Sequence, residues 1–92
     1  MDFDKNRDYD HDAEVCKMLG HPLRLKIIAG LCSQDCNVKH IWECLGIPQA
    51  TVSQQLSLLK DKGIISGKHE GAEACYSVIH PLAKQIVAFL KQ

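Results

Sequence analysis

The chain has 92 residues, 46% hydrophobic and 24% charged, a composition that fits one globular domain and excludes a disordered or fibrous chain. No apolar run nears the roughly 20 residues that span a bilayer, and the start "MDFDKNRDYDHD" lacks the basic-then-apolar order of a secretory signal, so a cytoplasmic protein with no membrane partner is expected. The formal net charge is zero, but residues 1–14 set six acids (Asp2, Asp4, Asp8, Asp10, Asp12, Glu14) against Lys5 and Arg7, which leaves the remainder with an excess of four positive charges.

The acidic segment 1–11 reads as a flexible arm and residues 12–92 as the folded domain. A first helix is expected from about Asp12 to Leu19, where Gly20 can cap it and Pro22 suits the first turn of the next. That second helix carries Leu23, Ile27, Ile28 and Leu31 on one face. Asn37 can cap a third helix that buries Val38, Ile41 and Leu45, and Gly46 stops it. In "QATVSQQLSLLKDKG", Val52, Leu56 and Leu59 fall at i, i+4 and i+7 of a fourth helix closed by Gly63. "IISGKHE" and "ACYSV" then read as two antiparallel strands around a turn. The final segment, "HPLAKQIVAFLKQ", has Pro81 near a helix start and an apolar stripe of Leu82, Ile86, Phe89 and Leu90 that needs a partner surface.

The fold class is therefore mainly α with a small β-hairpin: four helices, the hairpin and a fifth helix. The third and fourth helices, joined by "LGIP", have the spacing of a helix-turn-helix, whose second helix lies in the major groove of DNA. At about 100° per residue, the side of the fourth helix opposite Val52, Leu56 and Leu59 presents Ala50, Ser53, Gln54 and Ser57. Gln54 can pair with adenine through both halves of its amide, while Thr51, Ser53 and Ser57 can serve base edges or phosphates. Gln49, at the helix start, belongs to the same set of DNA-binding candidates. Lys60 and Lys62 end the helix, where they can reach phosphates or simply complement the helix dipole. The hairpin offers Lys68 and His69 to the backbone, and its tip "EGAE" reads as a solvated turn.

Together, "LGHPLRLKIIAGL", "LGIPQATVSQQLSLLKDKGII" and "EGAEACYSV" resemble the ArsR/SmtB family of bacterial winged-helix repressors, over residues 13–92. The resemblance implies a winged helix-turn-helix homodimer formed by the first and last helices. It also implies binding to an inverted-repeat operator in double-stranded DNA, released when an effector binds. Many metal and metalloid sensors of the family carry Cys-Val-Cys where this chain has Asn37, Val38 and Lys39. The zinc or nickel set on the last helix is reduced to His80, and the family's sulfide and redox sensors hold a cysteine where this chain has Ala29. Trp42 stands where the family usually has alanine, and its indole must shift the helix crossing or point outward; we read it as core filler.

Cys16, Cys32, Cys36, Cys44 and Cys75 remain. An odd number at irregular spacing does not make a complete secreted disulfide framework. Cys32 and Cys36 form a C-x3-C pair, a weaker zinc signal than C-x2-C, that can hold arsenite or another thiophilic metal ion with a third sulfur from Cys16, or form a regulatory disulfide or polysulfide. No cofactor is certain, and buried small apolar cysteines are the competing explanation; Cys44 and Cys75 read as structural. The expected function is a transcriptional repressor whose operator affinity is modulated through cysteine thiols. The rival is a winged-helix protein-interaction module without specific DNA binding, suggested by the neutral charge and the weak wing. An enzyme, chiefly a thiol oxidoreductase, is disfavoured because the chain has neither C-x-x-C nor a Cys-His pair on one readable scaffold.

Overall fold

Among the described residues seven elements follow in order: α1 (Tyr9–Leu19), α2 (Pro22–Ser33), α3 (Val38–Leu45), α4 (Gln49–Asp61), β1 (Ile65–Glu70), β2 (Glu73–Val78) and α5 (Pro81–Leu90). The computed structural model describes residues 2–33, 38–70 and 73–91, with backbone alone at 38–40, 68–70, 73 and 74. Cys36 and the expected cap Asn37 lie outside the described residues.

The first helix begins a turn earlier than its apolar pattern indicates. Asp8 is its N-cap, accepting a hydrogen bond from the His11 N–H at 3.0 Å, so a polar residue rather than an apolar one sets the start. Ahead of it, the Asp4 N–H donates to the Tyr9 hydroxyl at 2.9 Å, and Arg7 pairs with Asp12. Gly20 caps the other end as expected.

α2 buries Ile27, Ile28 and Leu31, and α3 crosses it at Gly30, where a Cβ would stand 3.1 Å from Cγ1 of Ile41. Trp42 is half-buried and packs on the core, as core filler should. α3 ends at Gly46, whose φ of 66° lies in the left-handed region that a Cβ disfavours, and its N–H donates to the Trp42 carbonyl at 3.1 Å. That turn aims α4, which buries Val52, Leu56 and Leu59. Each such side chain removed from water contributes roughly 1.5–3 kcal/mol.

The hairpin is antiparallel, with Ile65 opposite Val78, Gly67 opposite Tyr76 and Lys68 opposite Cys75. Its base is buried through Ile64, Ile65 and Val78. The Ile64 carbonyl accepts from the Ile79 and His80 N–H groups at 2.9 and 3.2 Å, which brings the chain back to start α5. α5 buries Ala83 and Val87, while the stripe read from the sequence divides: Leu82 and Ile86 are half-buried, whereas Phe89 is 72% and Leu90 60% exposed.

Candidate nucleic-acid interface

The recognition surface follows from how α4 is held. Its inward face is locked by the three buried aliphatic residues, and a polar clamp fixes its flank: Arg24 Nε of α2 donates to Gln55 Oε1 at 2.9 Å, while Nη1 of the same guanidinium lies 3.6 Å from Met18 Sδ of α1. Rotation of α4 would break both kinds of contact. Gln49, Ala50, Ser53, Gln54, Ser57 and Lys60 are all exposed along the outward side, and Thr51 is half-buried at its edge. The residues expected to read DNA are therefore gathered on one surface by the helix itself.

Pro48 is the N-cap of α4 and makes no side-chain cap hydrogen bond. The first N–H groups of a helix lack intrahelical partners and favour an anion, so this end suits a phosphate. Two features of the surface escaped the sequence pattern. Asp61 is exposed one turn beyond Ser57, an acid that repels phosphate but can accept from the cytosine amino group. Lys62, a phosphate candidate, instead pairs with Glu14 of α1 at 3.0 Å. The Lys62 ammonium, through that hydrogen bond and its charge, holds the Glu14 carboxyl below the usual glutamate range. Lys68 is placed on β1 opposite Cys75, with its side chain outside the described set, as is that of His69.

The four described cysteines lie on four different elements. Cys16 is an exposed, free thiol on α1, Cys32 is half-buried in the last turn of α2, and Cys44 is exposed on α3. Cys75, on β2, is disulfide-bonded. Among the described residues no group of three or more His, Cys, Asp and Glu side chains is placed to hold a metal ion. The expected pairing of Cys32 with Cys36 falls partly outside the described residues.

Two histidines serve as local caps: His21 Nδ1 accepts from the Leu23 N–H and His80 Nδ1 from the Leu82 N–H, each at 3.2 Å. His80 also meets His11 of α1, Nε2 to Nε2 at 3.1 Å. Because Nδ1 of His80 is an acceptor, its Nε2 carries the proton of the neutral ring and donates to His11. Nothing in the spacing of residues 11 and 80 reveals this pairing.

A helix-turn-helix followed by a two-stranded wing defines a winged-helix DNA-binding domain. The sequence model for bacterial regulatory proteins of the arsR family matches residues 21–66, and the chain belongs to that family. It is 37% identical over 82 residues to the transcriptional repressor PagR of Bacillus anthracis, covering 88% of this chain and 82% of that protein. The PagR crystal structure superposes with a TM-score of 0.79 over 89% of this chain and 94% of its own. The biofilm growth-associated repressor of Xylella fastidiosa is 32% identical over 82% of this chain and 66% of its own length. A homodimeric winged helix-turn-helix DNA-binding domain of Mycobacterium bovis, 26% identical, superposes with a TM-score of 0.78 over 99% of this chain and 87% of its own. The protein is a transcriptional regulator of the arsR family and not an enzyme. No helix among the described residues is long and apolar enough to cross a membrane.

Proposed function

We propose that the protein is a cytoplasmic, homodimeric repressor that reads an inverted-repeat operator with α4 and whose operator affinity is modulated through cysteine thiols. The observation that carries the DNA reading is the division of α4 into a wholly buried aliphatic line and an exposed row of Ala50, Ser53, Gln54 and Ser57, clamped by Arg24. Short polar side chains on a rigid helix suit base edges. Relatives that are repressors support the direction of regulation.

Dimerisation is supported by surface left over in the monomer. The accessible area is 6319 Å², against about 5,400 Å² for a folded monomer of 10.3 kDa. The exposed segment 2–8 accounts for part of that excess, and a stable interface removes about 800 Å² per partner. Phe89 and Leu90 on α5 supply its apolar part. The thiol reading rests on Cys32 and Cys16, whose sulfurs are outside any disulfide, while Cys75 is already in one. An oxidant, arsenite or another thiophilic metal that favours one dimer geometry changes DNA affinity by its differential binding to the two states, typically about 1–3 kcal/mol or 5- to 150-fold.

Fluorescence anisotropy with the protein's own promoter region tests the reading. Affinity is expected to fall steeply with salt, and Gln54→Ala to reduce discrimination against a mutated half-site by about 1–3 kcal/mol. Binding that ignores salt and the Gln54 substitution would instead indicate a protein-interaction module.

A further inference from the structure

A cavity of about 350 Å³ opens between the end of α2, the end of β2 and α5, lined by Cys32, Val78, Lys84, Val87, Ala88 and Lys91. Val78 and Val87 are buried and form an apolar floor. Lys84 and Lys91 are seven residues apart, two turns on one side of α5, and both line the same opening. Lys91 is held there: its Nζ lies 2.6 Å from Ser33 Oγ, whose own hydroxyl donates to the Ala29 carbonyl at 3.1 Å. Among the described residues no acidic side chain lines the cavity, and its described lining is an apolar floor, a cationic rim and the Cys32 sulfur.

The location matters as much as the lining. By the helical period, Lys84, Ala88 and Lys91 lie on the side of α5 turned away from Leu82, Ile86 and Phe89. A dimer built on the exposed apolar stripe therefore leaves the cavity open. An occupant would sit between α5 and the α2–β2 body, where it can shift the dimerisation helix against the domain that carries α4.

We propose that this cavity is a site for a small organic disulfide bearing carboxylates, with Cys32 as the exchanging sulfur and Lys84 and Lys91 as the groups that select the anion. The proposal rests on the thiol reading above and names its substrate class. In the exchange, the Cys32 thiol gives its proton to solvent and the thiolate attacks one sulfur of the disulfide. A Cys32–S–S–R bond forms, the R–S–S–R bond breaks, and R–S⁻ leaves with the electron pair. Cys32 is oxidised and the leaving sulfur reduced, with the disulfide as the oxidant. The carboxylate is met by the ammonium pair while its apolar body covers the valines.

Full-length protein is treated in parallel with 5,5′-dithiobis(2-nitrobenzoate), which is anionic, and with neutral 4,4′-dithiodipyridine, and the adducts are located by peptide mass spectrometry. Exposed Cys16 is the internal reference for the intrinsic reactivity of each probe. The preference of Cys32 for the anionic probe, normalised to Cys16, is expected to be about tenfold and to collapse in Lys84→Gln/Lys91→Gln and in 0.5 M salt. Both lysines are exposed, and circular dichroism checks that the variant is folded. A normalised preference near one, or one unchanged in the double variant, overturns the proposal. DNA affinity of the Cys32 adduct is measured separately. Selective exchange without a change in DNA binding would leave the site standing and overturn thiol modulation at Cys32.

Discussion

The two helices that carry the function are built in opposite senses. α4 turns Val52, Leu56 and Leu59 into its own subunit and, apart from the exposed Leu58, shows solvent glutamine, serine and alanine. α5 turns the smaller Ala83 and Val87 inward and leaves Phe89 and Leu90 outside. A helix of the first kind is complete within one chain and offers a polar surface to a polar ligand. One of the second kind keeps its largest apolar groups for another apolar surface, and the cost of exposing them is recovered only on association.

The largest effect expected from breaking this contrast is Phe89→Asp with Leu90→Asp. Two charges on the α5 surface should convert a dimer to a monomer in sedimentation velocity at micromolar concentration. They should also weaken operator binding by at least tenfold, because two half-sites are then no longer bound as a unit. The same pair placed at exposed Ser53 and Ser57 should leave the dimer intact and abolish DNA binding by repelling phosphates.

His80→Ala should have a smaller, mainly structural effect. Its imidazole caps α5 and joins α1, so its removal is expected to destabilise the fold by about 1 kcal/mol in urea unfolding. His80→Asn, which retains a capping acceptor but not the contact with His11, should recover most of that loss.

The smallest effect belongs to the link between α1 and the end of α4. The folded Glu14 carboxyl is held below its ordinary range by Lys62. The contribution of this pair is therefore complete above the unfolded glutamate value of about 4.3 and is lost as pH falls through the lower folded value. Glu14→Gln should flatten that acid limb of the stability curve, with little change at neutral pH because both partners are exposed.

The contrast between the helices also explains how much of the protein was legible. α4 was readable because its period, its polar face and the Gly46 turn are all local, and a helix of thirteen residues displays its whole pattern in one stretch of chain. The start of α1 was displaced because Asp8 sets it through one hydrogen bond that leaves no apolar signature. The α5 stripe is a single face by its period, yet the packed structure divides it, since hydropathy alone cannot distinguish a surface kept for a second molecule from one kept for the core.

By itself the sequence determined the order of elements, the helix-turn-helix with its wing, the family and the exposed row on α4 that we propose reads DNA. These depend on helical and strand periods and on glycine and proline at the joints, which act between near neighbours. Tertiary structure alone decided the contacts that join the parts: Arg24 with Gln55, 31 residues away, Lys91 with Ser33 at a separation of 58, and His11 with His80 at 69. It also set Cys32 beside two lysines of α5 in one cavity. No period in a chain encodes such pairs, because they form only when packing of the core has brought distant helices within the 3 Å or so over which a hydrogen bond acts.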